Sequence, residues 1–431
     1  MPGRNVVAGL DIGSTKVEEV IAGVGPDGGI EILGVGVSPC QGFRRGLVAD
    51  IEAVTSAVKT ANKRACHMAG FDVRSVCVGV PAIHTACRET RGVAAVSGED
   101  DVISAEDVKR ALDAARVLAV PPDRYVISVL PKEYIVDGVG GIRNPEGMTG
   151  VRLEVDARVI MGQATSLENI ATSVSKAGLA VVGRVLEPVA TAEAVLDPEE
   201  RERGVILVDV GGQITQIAAF YEGTPVLLSW VPAGGVHITN DIAIGMKVPV
   251  EQAESLKRQM GVKAAGQAVR NKATREAAQE ATRSLAGQRK QAPGRQAQSG
   301  APPDDEDFLR RIVDARLREI LELVDAETRQ VRGKGLAPCG VVFTGGGSLV
   351  PGILDIAGEI LGLPVRMGAP FEVRRRGSGE TGEVSAVALG VLAYVVNDSV
   401  FRLSSETRPS PIRGLLAGVR GWLSDFVKDF F

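Results

Sequence analysis

The sequence predicts an α/β protein built from two duplicated halves, because one motif occurs twice. An apolar run, an aspartate, a glycine turn and at least one hydroxyl side chain follow one another over residues 7–16 and again over residues 206–215. The two aspartates are Asp11 and Asp209. A third glycine cluster, at residues 345–347, follows another apolar run late in the chain. Two strand-and-turn units and a late glycine turn therefore define the expected architecture.

Each of these motifs suits phosphate. Glycine lets the backbone turn tightly and brings N–H groups close to oxyanions, and an aspartate beside the turn can hold Mg²⁺ through water. A strand followed by Gly-Gly also occurs in simple hairpins, so the repetition is what favours a phosphate site. Together the three motifs resemble the actin, Hsp70 and sugar-kinase ATPase superfamily, in which the nucleotide lies in the cleft between the halves, a usual place for a ligand site.

The resemblance implies that ATP and Mg²⁺ are the cofactors, with Asp11 and Asp209 holding the metal. The residues expected to bind the nucleotide are Asp11, Gly13, Ser14, Thr15, Lys16, Asp209, Gly211, Gly212, Thr215, Gly234, Gly235, Glu254, Lys257, Gly345, Gly346 and Gly347.

The composition excludes several classes of function. The 431 residues are 45% hydrophobic and 24% charged, which is ordinary for a soluble protein, and the net charge of −4 gives no reason to expect nucleic acid. Five cysteines without a CxxC pair indicate reduced thiols, and three scattered histidines disfavour a zinc site. We see no signal peptide and no apolar run of about 18 residues, so a membrane-spanning helix is not expected.

The elements of the first half follow from the hydrophobic pattern. Three short strands are predicted before residue 38, and Asp50 is placed to cap a helix that ends near Met68. Residues 84–162 are predicted to form an inserted subdomain, with a helix after Ser104 and several strands. Residues 163–197 then return to the first half.

Three stretches, at residues 40–48, 142–155 and 233–243, resemble the FtsA family of bacterial cell-division proteins. In that family the inserted subdomain serves self-association and recruitment. The resemblance implies a protein that binds ATP, tethers FtsZ filaments to the inner face of the cytoplasmic membrane, self-associates and recruits later division proteins.

The predicted fold is thus an actin-like ATPase fold with an FtsA-type insertion and a C-terminal amphipathic helix. Residues 261–303 depart from the family, since they contain eight basic residues, two glutamates and no aromatics. The expected parts are residues 1–83 with 163–197 (first actin-like subdomain), 84–162 (insertion), 198–245 with 332–397 (second actin-like subdomain), 246–331 (upper subdomain with a basic insert at 261–303), 398–410 (linker) and 411–431 (membrane-binding helix).

Several residues depart from the family pattern near the predicted phosphate loops. Gln213 stands where relatives have a third glycine, and Gln216 where they have a second aspartate. These changes favour a nucleotide-gated scaffold with weak or no ATPase activity over an efficient enzyme. Glu18 and Glu19 occupy a strand where relatives place small or apolar residues, and one of the two is expected to face inward.

Two predicted functional positions have an alternative interpretation. In the superfamily, a Glu or Gln at a Glu-Pro position orients the water that attacks the γ-phosphate, which makes Glu187 the candidate catalytic residue. The alternative is an exposed carboxylate at a helix N-terminus. Glu254 and Lys257 resemble the family's ribose-contacting pair, and the alternative is an ion pair on a helix surface.

A long helix is predicted over residues 308–331, where the family docks the C-terminal peptide of FtsZ. The candidate contacts are Arg310, Arg311 and Arg316, and the alternative is a solvated helix face.

Residues 411–431 are predicted to form an amphipathic helix that lies in the membrane surface. Ser410 suits the N-cap and Pro411 the first helical position, whereas three glycines should keep the segment unfolded until it meets lipid. The alternative is a helix packed on the protein's own core or on a partner. The apolar face consists of Ile412, Leu415, Leu416, Val419, Trp422, Leu423, Phe426, Val427, Phe430 and Phe431.

Other functions on the same fold stay open. A pilus-type actin-like scaffold would share the architecture, although the apolar tail argues against it. A small-molecule kinase would need a base for a substrate hydroxyl, and we find no candidate for it. An Hsp70-like chaperone would need a substrate-binding domain after residue 397.

Overall fold

Each half is built around one mixed β-sheet, and a third sheet belongs to the inserted segment. The computed structural model describes residues 5–25, 29–83, 85–97, 99–117, 120–260, 305–371, 374–375 and 384–397. Its strands are β1 (Asn5–Ile12), β2 (Lys16–Val24), β3 (Ile30–Pro39), β4 (Phe43–Arg44), β5 (Leu47–Val48), β6 (Ser75–Val80), β7 (Ala86–Ala95), β8 (Arg124–Val136), β9 (Val139–Ile142), β10 (Arg152–Gln163), β11 (Ala180–Leu186), β12 (Val205–Val210), β13 (Thr215–Tyr221), β14 (Thr224–Val231), β15 (Val341–Thr344), β16 (Val365–Met367) and β17 (Arg374–Arg375).

Helices cover these sheets. They are α1 (Ile51–Ala69), α2 (Ala105–Val117), α3 (Ala164–Lys176), α4 (Glu187–Val195), α5 (Pro198–Arg203), α6 (Gly235–Met246), α7 (described over 250–260), α8 (Asp305–Gly333), α9 (Ile353–Leu361) and α10 (Ala386–Asn397).

The two main sheets have the same core topology, as the repeated motif predicts. The first sheet has the order β11-β6-β1-β2-β3-β17 and the second has the order β14-β13-β12-β15-β16. In both, the strand before the aspartate pairs antiparallel with the strand after it and parallel with a later strand. The predicted duplication is therefore confirmed in the strand order and in the register.

Each sheet has a helical layer on its outer face. In the first half α1 and α3 pack on the sheet, and Asp50 caps α1 by accepting a hydrogen bond from the Ala53 N–H at 3.0 Å, as predicted. In the second half α6, α8 and α9 form the largest apolar cluster with β12, β13 and β15. Burial of these apolar faces is the main driving force that holds each half together.

Helices α4 and α10 lie between the two sheets. Their small side chains allow a close crossing, since a Cβ at Gly390 would lie 1.9 Å from the Ala190 carbonyl oxygen. Helix α10 packs on α4, β1, β2 and β6 of the first half, and its apolar side chains share a cluster with residues of β12, β13 and β15 of the second half. The helix is apolar all round, so its hydrophobic pattern does not indicate which sheet it covers.

The inserted segment forms a separate sheet with the order β7-β10-β8-β9, and α2 covers one face. A Cβ at Gly92 would lie 2.0 Å from the Ala111 carbonyl oxygen, so this close helix–strand contact needs glycine. Polar contacts join the segment to the rest of the molecule, among them an ion pair between Arg143 and Glu202. The Arg158 guanidinium donates to the Pro225 carbonyl, and the Ser128 and Tyr394 hydroxyls lie 3.2 Å apart.

Three predictions fall on parts of the chain that the structure does not describe. They concern the basic insert at 261–303, the linker at 398–410 and the amphipathic helix at 411–431. Among the described helices, none combines the length and the apolar character that crossing a membrane requires.

Candidate functional site

The two aspartate loops are the same turn at the ends of equivalent strands. Gly13 N–H donates to the Lys16 carbonyl at 2.9 Å, and Gly211 N–H donates to the Ile214 carbonyl at 3.0 Å. We call residues 11–16 the first phosphate loop and residues 209–215 the second phosphate loop.

The two loops approach each other closely where the halves meet. A Cβ at Gly212 would lie 2.7 Å from Cγ2 of Thr15 and 2.9 Å from Oγ of Ser14, so any larger residue at this point would displace these two side chains. The predicted residues Ser14, Thr15 and Gly212 are thus brought together.

Buried carboxylates lie close together beside the two loops. Asp11 and Asp209 are 9% and 6% exposed, respectively. Burial raises the pKa of Asp11 to about 7, with Glu18 and Asp209 adding to the shift and Lys16 opposing it, and burial raises the pKa of Asp209 to about 6. Such a concentration of acidic groups favours a cation between them.

The donor set fits a magnesium ion that shares its ligands with a nucleotide. In the part of the chain that the structure describes, no group of three or more His, Cys, Asp and Glu side chains could hold a metal alone. Mg²⁺ at nucleotide sites commonly uses one or two carboxylates together with water and phosphate oxygens. Asp11 and Asp209 can supply that pair.

Glu18 and Glu19 are both fully buried, so not one but both of these glutamates face the interior. Their strand, β2, is covered on both sides, by α1 and by α10. Glu18 pairs with Lys16 and accepts the Ser385 N–H at 3.0 Å at the start of α10. The Ser385 hydroxyl in turn donates to Asp11 at 3.3 Å, which joins α10 to the first phosphate loop.

Glu19 lies on the other face of β2, against α1. One of its oxygens accepts a hydrogen bond from Asn62 Nδ2 at 2.9 Å, and the other has no hydrogen-bond partner within the described residues. Burial raises the pKa of Glu19 to about 7, although the Asn62 bond opposes the shift.

Glu187 is 5% exposed, so the interpretation as an exposed helix carboxylate is wrong. Gln216 bridges the halves here, because its Nε2 donates to Glu187 Oε2 at 2.6 Å while its Oε1 accepts the Ala82 N–H at 2.7 Å. Burial, then the charge of Asp11, raises the pKa of Glu187 well above its ordinary value. Glu187 Oε1 is buried and has no hydrogen-bond partner in the described structure, so this oxygen is free to accept a hydrogen bond.

Glu254 and Lys257 are joined to the glycine turn at the start of α6, so the interpretation as a surface ion pair is wrong. Lys257 Nζ lies 2.7 Å from Glu254 and donates to the Gly235 carbonyl at 3.0 Å and to Thr239 Oγ1 at 2.8 Å. Partial burial acts against ionisation, yet hydrogen bonds from Lys257, Thr239 and Arg258 lower the pKa of Glu254 to about 2.

Three residues that were predicted to bind the nucleotide have polar groups that bond within the protein instead. The N–H groups of Gly235 and Val236 donate to the Gly211 and Gly212 carbonyls at 2.9 and 2.8 Å, so the start of α6 supports the second loop and does not offer these donors. Gly234 N–H donates to His237 Nδ1 at 3.1 Å. The hydroxyl of Thr215, which is fully buried, donates to the Ala233 carbonyl at 2.8 Å.

The late glycine turn packs on the end of β12. Gly345 has a φ of 86°, and a Cβ there would lie 2.2 Å from Asp209 Oδ1. A Cβ at Gly347 would lie 2.6 Å from Val210 Cγ1, whereas one at Gly346 would meet nothing within 4 Å. The turn therefore approaches Asp209 closely and leaves open space at Gly346.

Sequence reasoning missed two groups in this site. Ser385 has no motif around it and enters only through the packing of α10. Thr239 lies one helical turn after Gly235, and this spacing is the only signal that could have indicated it.

The predicted partner helix, α8, presents two different kinds of arginine. Arg316 is held by Asp241 at 2.5 and 3.0 Å and by Glu319 at 2.7 Å. Arg310 and Arg311 are exposed, and the Arg311 guanidinium lies 5.8 Å from the centre of the Phe308 ring. The solvated-face interpretation therefore suits Arg310 and Arg311 but not Arg316.

Comparisons with known proteins identify the family of this chain. A family model described as "SHS2 domain inserted in FTSA" matches residues 83–161, and one described as "Cell division protein FtsA" matches residues 206–389. The cell division protein FtsA of Pseudomonas aeruginosa is 34% identical over 391 residues, which are 90% of this chain and 89% of the relative. FtsA of Borreliella burgdorferi is 32% identical over 99% of this chain and 100% of the relative.

Solved structures show the same fold at low identity. The PilM-PilN type IV pilus biogenesis complex contains a chain with a TM-score of 0.60 and 17% identity, covering 91% of this chain and 99% of that one. MreB5 of Spiroplasma citri bound to ADP has a TM-score of 0.51 and 13% identity over 94% of this chain and 99% of that one. With an actin-like fold, the inserted SHS2 domain and relatives matched over nearly the whole chain, this protein belongs to the FtsA family of cell-division proteins.

Proposed function

We propose that this protein binds ATP with Mg²⁺ in the cleft, self-associates, and tethers FtsZ filaments to the cytoplasmic face of the membrane at the division site, where it recruits later division proteins. The observation that supports nucleotide binding best is the pair of identical glycine turns that face each other with Asp11 and Asp209 buried between them. Family membership supports the role in division.

The residues divide into groups with different tasks in the proposed complex. Asp11 and Asp209 would hold Mg²⁺ through water, and the metal would supply the positive charge that separates these carboxylates from the phosphates. Glu254 and Lys257 would contact the ribose. Glu187 would position water, and because Gln216 occupies one of its oxygens, we propose weak or no hydrolysis.

We expect Asp11→Ala to weaken ATP binding in the presence of Mg²⁺ by at least ~10-fold, which corresponds to about 1.4 kcal/mol. The variant removes a metal-facing carboxylate, and Gly346→Leu should weaken binding by filling the open space at that turn. Titration calorimetry measures the ATP affinity of both variants. The control is Asp72→Ala, which replaces an exposed aspartate outside the proposed site. Wild-type affinity in both site variants would place the nucleotide elsewhere.

Binding of the FtsZ C-terminal peptide is proposed for the N-terminal half of α8. Arg310→Glu with Arg311→Glu should reduce cosedimentation with FtsZ filaments several-fold, since two exposed cations become anions. Arg316→Glu should reduce it too, because the change also breaks the contact with Asp241. Arg329→Glu, at the far end of the same helix, is the control and should bind as the wild type does.

The assay is repeated with FtsZ that lacks its C-terminal peptide. Equal retention of all variants by full-length FtsZ filaments would exclude this face of α8. Loss of binding by the Arg329 variant as well would show that the effect comes from charge alone and not from a defined site.

A further inference from the structure

A short hairpin of the first half touches the second phosphate loop. Strands β4 and β5 form this hairpin, and Arg45 and Gly46 form its turn. Gln213 Oε1 accepts the Arg45 N–H at 2.9 Å, and a Cβ at Gly46 would lie 2.8 Å from Ile83 Cδ1. The turn is therefore fixed between Ile83 and the one residue of the second loop that replaces the family's glycine.

The backbone at Arg45 adopts a conformation that arginine disfavours. Its φ is 48° and that of Gly46 is 78°, both in the left-handed region. Two-residue hairpins require this geometry, and asparagine or aspartate is the usual first residue. A strained non-glycine residue of this kind often lies at a functional site.

Buried carboxyl groups dominate the charge near the two loops in the described structure. Four buried carboxyl groups, those of Asp11, Glu18, Glu187 and Asp209, lie near the two loops. The lysines among the predicted nucleotide-binding residues are already paired, Lys16 with Glu18 and Lys257 with Glu254.

Arg45 differs from both lysines. Its side chain is exposed, and no ion pair engages its guanidinium in the described parts of the chain. A guanidinium binds phosphate through a fork of donors and keeps its charge in any environment, which makes arginine well suited to an anion beside carboxylates.

We propose that Arg45 contacts the terminal phosphate of ATP, and that Gln213 is the positioning residue that holds the hairpin turn over the second phosphate loop. The inference rests on the proposed function, because it assigns a further residue to the same site. It predicts that the cleft distinguishes ATP from ADP through a side chain of the hairpin, in addition to the loops themselves.

Calorimetry with ATP and with ADP, each with Mg²⁺, tests this assignment. Arg45→Ala should weaken ATP binding ~10-fold, as expected for one charge-assisted contact, and change ADP binding less than about twofold. Arg44→Ala is the matched control, since it removes an exposed arginine from the same hairpin one residue earlier and should change neither affinity. Arg45→Lys should recover part of the loss.

Gln213→Gly tests the positioning role. It should weaken ATP binding selectively, and its effect should not add to that of Arg45→Ala, because both changes remove one contact. Equal ATP affinity in the Arg45 and Arg44 variants, or equal losses for ATP and ADP, would overturn the assignment while leaving the nucleotide site intact. A wild type that binds neither nucleotide would overturn the proposed function and this inference together.

Discussion

Deletion of residues 411–431 is expected to release the full-length protein from anionic vesicles in a sedimentation assay. This segment places ten apolar residues on one predicted helix face, and burial of that face in the headgroup region is the main attraction to lipid. Trp422→Glu with Phe426→Glu should have nearly the same effect, since both charges fall on the buried face. The bound fraction should fall at least ~10-fold, given the several apolar side chains that are lost.

The control places the same two charges on the opposite face. Ala417→Glu with Ser424→Glu should leave most of the binding in place, so that a loss seen only with the Trp422 and Phe426 changes identifies the apolar face as the anchor. Equal sedimentation of the wild type and the deletion variant would show that the tail does not anchor the protein. One tail is a modest anchor, and a filament that presents many tails should bind much more firmly.

Replacement of Glu19 by glutamine is expected to stabilise the protein above pH 7 and to flatten its pH dependence. Burial raises the pKa of Glu19 from 4.5 to about 7. A carboxyl group whose pKa is higher in the folded state stays protonated while the unfolded chain ionises, so stability falls as the pH rises from about 4.5 to about 7. The loss should reach about 3 kcal/mol, since one pKa unit corresponds to about 1.4 kcal/mol.

Chemical denaturation of the wild type and Glu19→Gln at several pH values between 5 and 8.5 measures this loss. Glu168→Gln, which changes an exposed glutamate, is the control and should follow the wild type. Asp11 and Asp209 also have raised pKa values, so they too lower the stability as the pH rises. The contribution of Glu19 is therefore the difference in stability between the wild type and Glu19→Gln at each pH. Parallel pH profiles for wild type and Glu19→Gln would show that folding does not raise the pKa of Glu19.

The parts of the site that depend on local sequence could be predicted, and those that depend on packing could not. The two phosphate loops and the Asp50 cap follow from residue order within a few positions. Glu254 and Lys257 have the spacing of any surface ion pair, and only the structure shows their contacts with Gly235 and Thr239 at the start of α6.

Burial of both Glu18 and Glu19 could not be predicted either, because a strand that alternates its side chains is expected to bury one face. Here helices cover both faces of β2, and α10 arrives from the far end of the chain. The same long-range packing explains why an entirely apolar helix could not be assigned to one half from its sequence.

Helix α10 links two parts of the candidate site. Ser385 at its start donates to Asp11, and Gly390 in its middle crosses the backbone of α4, which carries Glu187. One helix therefore contacts both Asp11 and the helix that carries Glu187. A displacement of α10 would move the surroundings of both carboxyl groups together.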